Sequence, residues 1–133
     1  MTMARSTSSS APAALAADIV LVIVFAALGL ASHEGAVDPA GLVRVAWPFA
    51  VALLAGWLAL RVWTDPSAPV RKGLPLWAMT ALGGLALRVI TGGGAAIPFV
   101  VVTAIVLLVF LVGWRLAVHA LRSARARRRP SAQ

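Results

Sequence analysis

Apolar residues fill the chain in long runs that break only at glycine, proline and charged positions, and within the runs polar residues do not alternate. Four stretches, 13–31, 42–62, 74–91 and 95–118, approach the roughly 20 helical residues that cross a ~30 Å hydrocarbon core. The last is rich in valine and isoleucine, strand formers in water. Its length and its lack of a two-residue period assign it to a helix in lipid. The segments between the runs, HEGAVDPAG, TDPSAPVRKG and GGG, are short and rich in turn residues. Short connections make successive helices antiparallel neighbours, so the pattern predicts an all-α membrane protein, a four-transmembrane-helix antiparallel bundle over residues 13–121. The Ser-rich residues 1–12 and the basic residues 122–133 are expected to be disordered.

Composition agrees with lipid as the main solvent. Of 133 residues 61% are hydrophobic and 12% charged, with a mean hydropathy of +0.93, whereas a soluble domain carries about 25% charged residues. The absence of cysteine removes disulfides, thiolate metal ligands and cysteine nucleophiles together. Two histidines and four carboxylates, with no metal-ligand spacing and no activated nucleophile, predict neither an enzyme nor a metal or cofactor site.

The net charge of +8 raises nucleic acid as a partner. However, Arg122, Arg125, Arg127, Arg128 and Arg129 form one cluster directly after the fourth apolar run, without interleaved aromatics. Such a tail fixes orientation and touches anionic lipid headgroups, so lipid is expected and nucleic acid is not. Basic residues also concentrate in the second connection, at Arg61, Arg71 and Lys72, while the first and third connections have only Arg44 and Arg88 at helix edges. The positive-inside rule then places both termini in the cytoplasm. A cleaved signal peptide is the rival reading of the first run, but a signal core is about 7 to 15 residues long, and this run is longer and contains Asp18.

Asp18 and Arg88 interrupt the first and third runs. A lone intramembrane charge costs ~2.5–3.5 kcal/mol on insertion scales, so each is expected to find a partner or reach the interface. Asp18 lies about a turn and a half inside the cytoplasmic end, level with Arg115 on the fourth helix and near Arg61 at the end of the second. Arg88 belongs to the opposite end, where Arg44 and Arg88 face Glu34 and Asp38 with His33 beside them. Two polar layers separated by an apolar middle are therefore expected.

The inner layer has two readings. One is an ion pair that fixes helix packing. The other is a proton- or cation-binding carboxylate, for which burial raises the affinity for a proton and a neighbouring arginine lowers it. The first predicts a non-enzymatic structural or accessory membrane bundle; the alternative is a small oligomeric transporter or channel using Asp18. Either expects a second copy of the chain or another membrane protein as partner. Among the remaining features, Trp63, Trp77 and Trp114 read as an interfacial aromatic belt, and Trp57 as a packing residue. Pro48 reads as lying near the start of the second helix, and Ala52 with Gly56 and Gly83 with Gly84 as small residues permitting close helix approach.

Ala17-Asp18 with the apolar run to Gly29, Ser32-His33, Trp47-Pro48-Phe49, Gly84 with Arg88, Phe99, and Gly113-Trp114-Arg115 together resemble the bacterial membrane proteins grouped as domain of unknown function 3054. The resemblance extends from Ala14 to about Leu121. It implies a small four-helix protein of the bacterial inner membrane with no established activity, and it singles out Asp18, His33, Arg88 and Arg115.

Overall fold

The computed structural model describes the backbone of residues 2–128 and the side chains of residues 10–32 and 35–128. It contains four long helices, α1 (Thr2–Glu34), α2 (Pro39–Leu60), α3 (Leu74–Ile90) and α4 (Ile97–Arg128). Each of the four, with the turn Pro69–Gly73 counted into the third, is long and apolar enough to cross a membrane.

Contacts along the helices set the topology. Leu30 and Ala26 of α1 cluster with Val45 and Ala46 of α2, while Asp18 meets Trp57. Phe49 packs on Gly84, and Gly56 on Leu76, between α2 and α3. Trp77 of α3 donates to the Ala104 carbonyl of α4 at 2.8 Å, and Arg88 lies over Phe99. Phe25 against Phe99 and Asp18 against Arg115 close α4 onto α1. In every pair rising numbers on one helix meet falling numbers on the next, so the bundle is antiparallel all round, and the start of α1 and the end of α4 lie at one end. That end is the terminal end of the bundle, and the opposite one is the far end.

The core is built in layers. Toward the far end Phe25, Phe49 and Phe99 form a triangle with centroids 5.1, 6.3 and 6.2 Å apart, edge-on for the Phe25–Phe49 and Phe49–Phe99 pairs as ring quadrupoles favour. α3 completes this layer with Gly84, where an added Cβ would overlap the Phe49 ring. A Cβ at Gly83 would stand 3.0 Å from that of Ala52, so small residues, expected to permit close helix approach, do so between α2 and α3. Toward the terminal end follow Leu53, Leu76, Leu107 and Leu111, all fully buried. The outward faces carry exposed valine, leucine and isoleucine on all four helices, the inverse of a water-soluble bundle's surface.

Helix boundaries depart from expectation in three places. The helical backbone takes in residues 2–12 and 122–128, where disorder was expected. The segment after Val118 is mostly alanine and arginine, both strong helix formers, and extending an existing helix avoids the cost of nucleation. α2 begins earlier than expected, at Pro39 with Asp38 as its cap, so Pro48 lies in the helix interior. Without an N–H, Pro48 cannot donate the backbone bond that closes a regular helical turn. α3 is preceded by a π-turn, Pro69–Gly73, closed by a bond from Gly73 N–H to the Ala68 carbonyl at 3.0 Å.

Candidate functional site

The centre of the terminal end is an ion pair. Asp18 and Arg115 are both 0% exposed, one on α1 and the other on α4. Arg115 presents two parallel N–H groups, Nη1 to Asp18 Oδ1 at 2.9 Å and Nη2 to Oδ2 at 2.7 Å, the forked geometry that a planar guanidinium makes with a carboxylate. Trp114 Nε1 also donates to Oδ1, at 2.8 Å, and Trp57 Nε1 to Oδ2, at 2.9 Å. Four donors therefore fill the roughly four acceptor directions of one carboxylate.

Arg115 is nearly as fully engaged. Its Nη1 donates a second time to the Leu111 carbonyl at 2.7 Å, and its Nε to the Pro66 carbonyl at 2.8 Å. The guanidinium carbon sits 4.6 Å from the centroid of the Trp114 ring, so cation and π face add to the ion pair. Two local features make room for it. The turn around Pro66 turns a carbonyl inward, and at Gly73 an added Cβ would come within 3.1 Å of Arg115 Cδ. A cavity of about 210 Å³ abuts the cluster, lined by Ala14, Pro66, Trp114 and Arg122 among others, but neither Asp18 nor Arg115 reaches its wall.

Of the two expected partners of Asp18, the structure brings Arg115 and leaves Arg61 outside. Arg61 is exposed and caps α2 in the left-handed conformation, φ 49 and ψ 53. Its carbonyl accepts the Thr64 N–H and hydroxyl at 3.0 and 2.7 Å. The chain must reverse there, so the side chain points away from the core. Lys72 Nζ donates to the Leu60 carbonyl at 2.6 Å and so satisfies the end of the same helix. Trp77 and Trp114, expected in an interfacial belt, donate between helices, while Trp63 and Trp47 are exposed.

The far end is arranged differently from expectation. Among the described residues Asp38 pairs with no arginine; its Oδ2 accepts the Gly41 N–H at 3.2 Å as the cap of α2. Arg88 donates from Nε to the Gly94 carbonyl at 2.8 Å and lies 4.6 Å from the Phe99 centroid. Arg44 stands close enough for the two like charges to interact, and it makes a further interaction of its own. The side chains of His33 and Glu34 lie outside the described residues. Arg122 donates to Ser67 Oγ at 3.0 Å, Arg125, Arg127 and Arg128 are exposed along the end of α4, and Arg129 is outside the description. Among the described residues no three of histidine, cysteine, aspartate and glutamate come together as metal ligands would.

The sequence pointed to Asp18 and Arg115 but missed the two indoles and the Pro66 carbonyl. A usable signal existed for the indoles. A carboxylate inside a span needs N–H donors at its own depth, and Trp57 and Trp114 sit at that depth on the neighbouring helices.

Comparison with known proteins adds one positive finding. A family model described as protein of unknown function (DUF3054) matches residues 15–118. No curated protein and no solved structure matches the chain.

Proposed function

The chain belongs to the DUF3054 family, and from that premise we propose that it is a non-enzymatic structural or accessory bundle of the bacterial inner membrane, with Asp18 and Arg115 locking α1 to α4. One observation carries the reading: both oxygens of a fully buried carboxylate are occupied by two donors each. A group that carries protons or cations needs a vacant acceptor direction and a route to water. The filled carboxylate weighs against that role for Asp18, and a rigid, neutral cluster is what an interhelical clamp requires.

Charge distribution supports an orientation with both termini in the cytoplasm. Arg61, Arg71, Lys72, Arg122, Arg125, Arg127 and Arg128 crowd the terminal end, against Arg44 and Arg88 at the far end. The helical extension of α4 carries its arginines past the bundle, where each adds about 1 kcal/mol of attraction to an anionic leaflet. Partners are a second copy or another membrane protein, packed on the apolar outer faces.

Flux measurement tests this. Full-length protein reconstituted in vesicles should pass no more protons or alkali cations than empty vesicles under an imposed pH gradient or potential. Flux that disappears in Asp18→Asn, with the variant inserted at the normal level, overturns the structural role.

A further inference from the structure

Three cavities meet at the far end, outside the Asp18 cluster. One of about 300 Å³ is walled by Arg44, Arg88, Gly29 and Phe99, and a second of about 430 Å³ shares the two arginines and Gly93 with it. A third, of about 230 Å³, begins at the same Gly29 and Phe99 and runs between α1 and α4 past Phe25, Leu28, Val102 and Val106. From Phe99 to Val106 is about two helical turns, or ~10 Å along the bundle axis. The one hydroxyl on its wall, Ser32, is turned to the Leu28 carbonyl at 2.8 Å. The result is a positive mouth continued by an apolar crevice parallel to the helices.

The mouth is built for an anion. Among the described residues the two terminal nitrogens of Arg88 have no hydrogen-bond partner, while its Nε and its ring contact with Phe99 hold the guanidinium in place. Gly93 makes room for that posture, since a Cβ there would come within 2.7 Å of Arg88 Cγ. A planar fork with free N–H groups matches phosphate oxygens.

We propose that this is a binding site for one anionic phospholipid, with its phosphate on Arg88 beside Arg44 and the start of one acyl chain in the crevice between α1 and α4. Charge complementarity selects an anionic headgroup, because a choline or other cationic group would be brought against the Arg88 guanidinium. The crevice selects a lipid over a free phosphate, because its walls offer apolar contact along the direction in which an acyl chain lies. The site is independent of the clamp at the other end.

Full-length protein in detergent, titrated with phosphatidylglycerol or phosphatidylcholine and read by native mass spectrometry, tests the proposal. One phosphatidylglycerol should bind at least about tenfold more tightly than phosphatidylcholine, and it should persist when Arg125, Arg127 and Arg128 are all changed to glutamine. Arg88→Gln should weaken it about tenfold or more, the effect of losing charge-assisted bonds. Gly29→Leu should weaken it comparably by filling the neck between mouth and crevice. An added Cβ at Gly29 meets no atom within 4 Å, so the fold tolerates the start of a side chain there. Val102→Trp, at an exposed position on the crevice wall, blocks the same path should Gly29→Leu misfold. Binding that survives both blocking variants, or that excess glycerol 3-phosphate displaces as readily as lipid does, reduces the site to a headgroup or phosphate site and overturns the proposal. So does binding indifferent to Arg88, or no preference for phosphatidylglycerol in the unmodified protein.

Discussion

Arg115 and Asp18, 97 positions apart in sequence, meet through two N–H···O bonds of 2.9 and 2.7 Å in a volume that excludes solvent. A buried ion pair is a weak source of net stability, because desolvating both ions offsets most of the attraction. Breaking it by removing one partner is expensive, since the other is left charged and buried.

Asp18→Asn and Arg115→Gln should therefore each destabilise the bundle by about 3–5 kcal/mol. The double variant should recover a large part of that loss, because it leaves no uncompensated charge. Thermal or denaturant unfolding in one detergent, compared across the four proteins, measures the coupling; additive losses would sink the clamp.

Trp114→Phe keeps an aromatic ring over the Arg115 guanidinium and deletes only the N–H to Asp18. A hydrogen bond to a charged group contributes ~1.5–3 kcal/mol, and that loss is expected both here and for Trp57→Phe. In an Asp18→Asn background the Trp114 effect should shrink to that of a neutral bond, about 1 kcal/mol. An unchanged loss in that background would mean the indole acts by packing alone.

Gly84→Ala places a methyl group inside the Phe49 ring. Overpacking a tight core costs ~1–3 kcal/mol. Phe49→Leu should rescue Gly84→Ala while being destabilising alone, which a double-variant unfolding comparison would detect as a favourable coupling.

The hydroxyls of Thr80 and Thr103 are buried, and among the described residues neither has a hydrogen-bond partner. Valine has nearly the same shape and no polar atom to leave unsatisfied, at a penalty of ~1–3 kcal/mol for such a group. Thr80→Val and Thr103→Val should each raise the unfolding midpoint. A lowered midpoint would reveal a partner, such as a bound water, that each hydroxyl needs.

Much of the fold was readable from local pattern. Run length marked four helices, and short Gly- and Pro-rich connections made neighbours antiparallel, because both properties depend on residues close together in sequence. Small residues at 52, 56, 83 and 84 marked positions of close helix approach, and the structure pairs them across α2 and α3. Local composition misled where propensity competed with it: the Ala-Arg tail is polar enough to read as disordered, yet it continues α4 as helix. Pro48 misled for a related reason, because Pro39 with the Asp38 cap set the start of α2 three residues before the expected one, and so well ahead of Pro48.

For the candidate site the division is sharper. Sequence alone determined that Asp18 is too deep to stay unpaired and that only basic residues near the same end could answer it, because depth along a helix follows from counting at 1.5 Å per residue. It also determined that Arg88 is not that partner. Only the tertiary structure decided between Arg115 and Arg61, because direction around a helix and the reversal at a cap depend on how elements pack. The same packing turned two indoles and the Pro66 carbonyl inward and left Arg88 beside Arg44 at the mouth of an apolar crevice. Depth is a one-dimensional property that a sequence encodes; which side chains share a point at that depth is three-dimensional and belongs to the packed bundle.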